Sequence, residues 1–209
     1  VQVLSLGANA EYGNVAGAVF NIVTRQGSNA FHGDSNFYYQ NSGLTDRNTT
    51  DAQDGGQPYN RARFRDSTTQ LGGPLLKDKL WFFGSFQHLT DFDAQPGADP
   101  LFPALNEARK VFWKFNYNIN SKHRLMHGYH DDYYWIPGPP TLFTAPETIN
   151  LSHGHNPTPN LVYTGTLSDS LVMEARYSGF FLQSSNDPNQ PGAARIMKNT
   201  ARAAMINSR

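Results

Sequence analysis

From Phe31 onward the chain alternates wet and apolar residues with a period of two, and this habit constrains its fold more than any other feature. Phe31, Gly33, Ser35, Phe37 and Tyr39 fall on one side of an extended chain, and His32, Asp34, Asn36, Tyr38 and Gln40 fall on the other. The contrast returns at 109–119, where Arg109, Val111, Trp113, Phe115, Tyr117 and Ile119 oppose Lys110, Phe112, Lys114, Asn116 and Asn118. It returns again at 171–181, with Leu171, Met173, Ala175, Tyr177 and Phe181 opposite Glu174, Arg176 and Ser178. A sheet with one wet and one apolar face follows. In a soluble sandwich the apolar face would line a core; in a membrane barrel it faces lipid and the polar face lines the lumen. Alternation is compatible with both.

The connections lean toward the barrel. Strands are expected at 31–40, 63–75, 80–91, 108–119, 123–134, 160–167 and 171–183. Between them, short joints at 76–79, 120–122 and 168–170 alternate strictly with long ones at 41–62, 92–107, 135–159 and the tail from 184. Outer-membrane barrels have short periplasmic turns at one rim and longer extracellular loops at the other. Most of these segments also reach the roughly 9–11 residues that a tilted transmembrane strand needs, 160–167 being the short exception. Aromatics gather near both ends: Trp81, Phe82, Phe83 and Tyr117 by the short turns, and Tyr38, Tyr39, Phe92, Tyr133, Tyr134 and Trp135 by the long loops. Two interfacial belts would look like this. The expected fold is all-β, an antiparallel up-and-down meander forming a partial transmembrane β-barrel with long extracellular loops and short periplasmic turns.

Composition removes other classes. No run approaches the roughly 18 apolar residues of a membrane-spanning helix. Seventeen basic residues balance seventeen acidic ones, so no overall field steers the chain toward nucleic acid. The chain has no Cys, which rules out a disulfide scaffold and Cys-based metal sites. It starts without Met and without a signal-peptide pattern, and is expected to begin partway through a longer precursor.

Three blocks carry a family resemblance. The first, EYGNVAGAVFNIVTRQGSNAFHG at 11–33, has a Gly-broken apolar stretch before Gly27, Ser28 and Asn29 and period-two texture after them. It resembles the plug-to-barrel junction of TonB-dependent outer-membrane receptors, particularly the Oar-like group. The second, QLGGPLLKDKLWFFGSF at 70–86, is similar to the first periplasmic hairpin of the same barrels. A third block, LSDSLVMEAR at 167–176, is similar to a later hairpin. The resemblance implies that 1–27 is the C-terminal end of a plug domain and that 28–209 is the N-terminal portion of an incomplete barrel. With seven strands where large plugged transporters have about 22, the chain is expected to be a fragment, inactive alone, of a receptor for energy-coupled ligand uptake. The implied location is the outer membrane. The implied partners are outer-membrane lipid, a TonB-type energy-coupling protein reached through a missing N-terminal region, and an unidentified small-molecule, glycan or peptide ligand; no nucleic acid is expected. The alternatives are a small standalone outer-membrane barrel with a structural or adhesive role and a soluble β-sandwich binding module.

Chemistry-bearing residues are present without a catalytic pattern. His127, His130, Asp131 and Asp132 crowd together, but on a strand positions 127 and 130 point to opposite faces, and His153 and His155 are expected in a loop. No metal site is expected. There is no G-x-S-x-G, H-E-x-x-H or P-loop, and the Gly-rich fragments open no helix, so neither an enzyme nor a cofactor is expected. His32, Asp34, Asn36, Lys110, Lys114, Asn116, Glu174 and Arg176 are expected to face the lumen, against plug or water. Tyr59, Arg61, Tyr134, Trp135 and His153, in or beside the long loops, are the candidate ligand-binding residues.

Overall fold

The computed structural model describes residues 2–4, 19–21, 24–96, 103–138, 149–188, 195–198 and 203–206. Two short strands, β1 (Gln2–Leu4) and β2 (Val19–Asn21), pair antiparallel with each other and with no other strand among the described residues. The wall begins with β3 (His32–Gln40), β4 (Asn60–Leu76), β5 (Leu80–Ala94), β6 (Ala104–Asn118) and β7 (His123–Pro137). It continues through β8 (Asn150–His155), β9 (Thr158–Ser168), β10 (Leu171–Ser178) and β11 (Gln183–Pro188). A last pair, β12 (Arg195–Lys198) and β13 (Ala203–Ile206), forms a separate hairpin. The connection from β3 to β4 holds a 3-10 turn, Ser42–Leu44, and the four-residue helix α1 (Asp51–Asp54).

Sheet order is β10-β9-β7-β6-β5-β4-β3, with β8 on β7 and β11 on β8, and every pairing is antiparallel. Sequence neighbours are spatial neighbours, as in an up-and-down meander. β9 and β8 lie end to end along β7, opposite 123–130 and 133–137 respectively. They are one line of chain broken at Asn156 and Pro157. Pro157 has no N–H to offer a ladder, and Asp131 turns into the break, accepting the Asn156 N–H at 2.9 Å and approaching His155 Nδ1 at 3.2 Å. Opposite the break the N–H groups of Gly179 and Phe181 donate to Pro159 and Pro157 at 3.1 and 3.0 Å, so bonding carries across between β10 and β11.

Counted as lines of chain, the wall has the seven segments expected, with different bounds. The strand expected at 171–183 stops at Ser178 and resumes at Gln183. The strand expected to be short, 160–167, runs from Thr158 to Ser168. The stretch expected as one loop, 135–159, contains the end of β7 and all of β8, so His153 and His155 are strand residues. Polarity misleads there: the sequence Asn-Leu-Ser-His-Gly-His has few β-formers, and β7 recruits it by pairing.

The short turns are built by side chains. Asp78 adopts φ 60°, the left-handed region that Asp tolerates, as Lys79 N–H closes onto the Leu76 carbonyl at 3.1 Å. Asn120 Oδ1 accepts the N–H groups of Lys122 and His123, each at 2.9 Å.

Register assigns the faces, because residues directly opposite in an antiparallel pair share a side. One row crosses the wall through His32, Gly72, Phe83, Lys114, Gly128 and Asn160. Extending it row by row puts all eight expected lumen residues, from His32 to Arg176, on this polar face. The reverse face carries Leu71, Phe82, Phe86, Val111, Trp113 and Leu161. The aromatic belts need correction: Trp81, Phe83, Tyr38 and Tyr134 lie on the polar face, leaving Phe82 and Tyr117 at one rim and Tyr39, Phe92, Tyr133 and Trp135 at the other for the apolar face.

Phe83 and Ala94 are the buried apolar residues among those described. Phe83 sits against Phe112, ring centroids 6.1 Å apart. Phe37, Leu71 and Phe86 on the reverse face are 66%, 50% and 47% exposed in the chain alone. A sandwich would cover them with a second sheet about 10 Å away; among the described residues there is none. The sheet is also open, with β3 and β10 joining no further wall strand among the described residues.

Candidate functional site

The polar face carries two assemblies, one at each rim. At the short-turn rim the chain from Thr24 to Ala30 crosses this face on its way into β3. Thr24 Oγ1 accepts from Lys114 Nζ at 3.2 Å. Arg25 reaches β3 and β4 together, donating to Asp34 Oδ1 at 3.1 Å and Gln70 Oε1 at 3.2 Å. Asn29 fastens the crossing to the β4–β5 turn, its Oδ1 accepting the Asp78 N–H at 2.9 Å and Trp81 Nε1–H at 2.7 Å, while Nδ2 donates to the Asp78 carboxylate. Between these clamps, Gly27 lies directly over the β4–β5 backbone: a Cβ there would stand 2.2 Å from the Phe82 carbonyl oxygen. Only glycine allows that approach. An open cavity of about 480 Å³ remains beside the crossing, lined by Asn29, Trp81, Asn116, Arg124, Met126 and Thr164 among others.

At the long-loop rim the polar face carries Tyr59 and Arg61. Arg61 Nε donates to the Tyr59 hydroxyl at 2.7 Å, Nη1 to Gln40 Oε1 at 2.6 Å, and Nη2 to Asp91 Oδ2 at 3.3 Å. Its guanidinium also lies over the Phe64 ring at 4.9 Å. Burial pushes the Tyr59 hydroxyl above its ordinary pKa, against the opposing pull of Arg61, so it stays protonated. Asp91 Oδ1 is buried without a partner, the kind of polar atom that a ligand or ordered water completes. Next to this cluster the loop folds on its own. Asp54 is buried and receives Thr49 Oγ1–H, the Gly56 N–H at 2.9 Å and Arg47 Nη2 at 3.0 Å. The Thr49 bond first, then Gly56 and Arg47, hold its carboxyl below the usual range.

The five candidate ligand residues do not share one side. Tyr59 and Arg61 form the cluster just described. Tyr134 lies on the polar face farther along, bonded to Ser184 Oγ at 2.6 Å. Trp135 and His153 pair across β7 and β8 on the reverse face, where His153 Nε2 is 3.1 Å from Asp187 Oδ2. Gln40, Phe64 and Asp91 were missed by sequence reasoning. Period two alone would put Phe64, three positions from Arg61, on the opposite face; the bulge between Arg61 and Arg63 brings it round, and cross-strand register sets Gln40 and Asp91 beside them. His127 and His130 point to opposite faces, as their spacing required.

With the geometry in place, comparison with known proteins is direct. Residues 23–109, from the crossing segment to the start of β6, match the family model of the outer membrane beta barrel domain. In strand order and in its two faces the sheet is similar to outer-membrane β-barrel wall. The chain is similar to the TonB-dependent transporter Oar of Myxococcus xanthus, with 28% identity over 233 aligned positions that cover 89% of this chain. It spans about a fifth (22%) of that relative's length. No solved structure matches. The resemblance to Oar-like TonB-dependent receptors therefore extends along most of the chain, and the protein resides in the outer membrane.

Proposed function

We propose that this chain is the plug-to-wall junction and the first part of the wall of an energy-coupled receptor that takes up a ligand across the outer membrane. In this reading residues 1–27 end the plug and residues from 28 onward build the barrel. The observation that carries it is the crossing of the polar face by Thr24 to Ala30, clamped to Asp34, Gln70, Lys114, Asp78 and Trp81 at the short-turn rim. A chain leaving the lumen for the wall needs such a route. The barrel-domain match begins at residue 23, a few residues before this boundary.

The ligand would be captured at the long-loop rim, with Arg61, Tyr59 and Asp91 offering a fork of donors, a hydroxyl and an unfilled acceptor. A metal chelate, glycan or peptide all present complementary groups. A periplasmic coupling protein would supply the energy, and no bond of the ligand would be broken. The test is accumulation of a radiolabelled panel of ferric chelates, oligosaccharides and peptides by cells carrying the whole receptor of which this chain is part, with and without a protonophore. Accumulation of one class that collapses with the protonophore is expected; accumulation indifferent to it refutes energy coupling. Sidedness is checked separately, since Asp51→Cys should react with an impermeant maleimide in intact cells and Lys77→Cys only after the outer membrane is opened.

A further inference from the structure

The reverse face is not apolar to its end. From Leu80 to His88 along β5 it carries Leu80, Phe82, Gly84 and Phe86, a length of about 27 Å at strand rise, or about 20 Å across a membrane once tilted. Flanking strands match this band with Leu71, Val111, Trp113, Phe115 and Tyr117. Beyond it, toward the long loops, the same face turns cationic over three adjacent strands. His88 pairs with Arg109, Arg65 with Thr90, and Arg63 with Phe92.

These groups are arranged rather than scattered. Glu107 Oε1 accepts from Arg109 Nε and Nη2 at 3.0 and 2.7 Å and lies 3.1 Å from His88 Nε2, which fixes the two side chains side by side. Arg109 lies over Tyr133 at 5.6 Å, and Arg63 lies over Phe92 at 4.7 Å with its Nε buried and unpartnered. Arg65 is exposed between them and makes no ion pair among the described residues. Three arginines thus stand against the single carboxylate of Glu107. The nearby Asp131 is taken up by the break between β8 and β9. Aromatic side chains Tyr39, Tyr133 and Trp135 complete the level. A cationic, fork-bearing patch directly above an apolar band meets one chemistry in a membrane: the phosphate of a lipid headgroup whose acyl chains lie along the band.

We propose that Arg63, Arg65, Arg109 and His88 form a binding site for a phosphate-bearing lipid headgroup of the outer leaflet. Arg65 supplies the open fork, Arg109 and His88 the fixed neighbours, and Glu107 positions the latter two. The site lies on the lipid side of the wall, away from the lumen, so it depends on membrane placement and not on the uptake reading.

The test uses the protein extracted from outer membranes in mild detergent and exchanged into micelles containing diphosphorylated lipid A, or the same lipid with its phosphates removed, with retention read by native mass spectrometry. The unaltered protein should retain the phosphorylated lipid in preference to the dephosphorylated one. Arg65→Gln with Arg109→Gln should weaken retention roughly fivefold per charge removed, and Lys77→Gln with Lys122→Gln at the opposite rim should leave it unchanged. If the double arginine variant fails to fold, as judged by gel mobility before and after heating, Arg65→Gln alone carries the test. Equal retention of both lipids, an unchanged affinity in the arginine variants, or displacement of the lipid by equimolar inorganic phosphate would each overturn the proposal.

Discussion

Gly27 is where a single methyl group should do the most harm. In Gly27→Ala the new Cβ would stand 2.2 Å from the Phe82 carbonyl oxygen and 2.9 Å from that of Gly73, against an ordinary contact of 3.4 Å or more. Both obstacles are backbone in paired strands, so the crossing segment must lift by about 1 Å. Asn29, two residues on, would then lose its 2.7 and 2.9 Å bonds to Trp81 and Asp78. Overpacking of this kind costs about 1–3 kcal/mol, and two hydrogen bonds add about 1 kcal/mol each. The expected destabilisation is about 3–5 kcal/mol, roughly two to four orders of magnitude in the folding equilibrium. Urea titration of the detergent-folded protein, followed by tryptophan fluorescence and by heat-modifiable gel mobility, measures it. Gly84→Ala is the matched control: its Cβ would meet nothing nearer than the Phe112 carbonyl at 4.0 Å, and its effect should stay within about 0.5 kcal/mol. Equal midpoints for the two variants would refute the close approach.

The remaining expectations concern faces, loop and rim. Leu71→Arg places a charge on the lipid side and should cost about 2–4 kcal/mol, whereas Ser85→Arg on the lumen side should cost under about 1 kcal/mol; the same titration separates them, and a reversed order would exchange the two faces. The loop around Asp54 should loosen in acid. Its folded pKa lies below the ordinary 3.8, so its contribution is complete above that value and is lost as pH falls through the lower folded one. Hydrogen exchange of 46–56, corrected for intrinsic rate, should rise below that point, and Asp54→Asn should abolish the dependence. Arg61→Ala removes the partner of a part-buried carboxylate and the donors to Tyr59 and Gln40. About 2 kcal/mol of stability should be lost, and Arg61→Ala with Asp91→Asn together should lose less than the sum, as a double-mutant cycle would report.

Much of this architecture is written in the order of the residues. Period-two alternation decides that His32 and Asp34 share one side of their strand, and that Glu174 and Arg176 share one side of theirs, because the strand pleat leaves no other outcome. The short turns are equally local: Asp78 and Asn120 build theirs with their own side chains. What the residues could not decide was pairing by neighbours. Asn150–His155 has no β pattern of its own and becomes a strand because β7 outruns β9 and offers it an edge. The strand after the last short turn breaks at 179–182 because the facing strand carries Pro157 and Pro159, a cause lying some twenty residues away. The candidate site divides in the same manner. Tyr59 and Arg61 were legible as loop-rim residues, but Asp91 joins them through the register of β4 on β5, and Trp135 on β7 and His153 opposite it on β8 leave them because they fall on the reverse face. Sequence set the period and the turns; tertiary pairing set which rows meet, since a hydrogen-bonded register is a property of two strands and never of one.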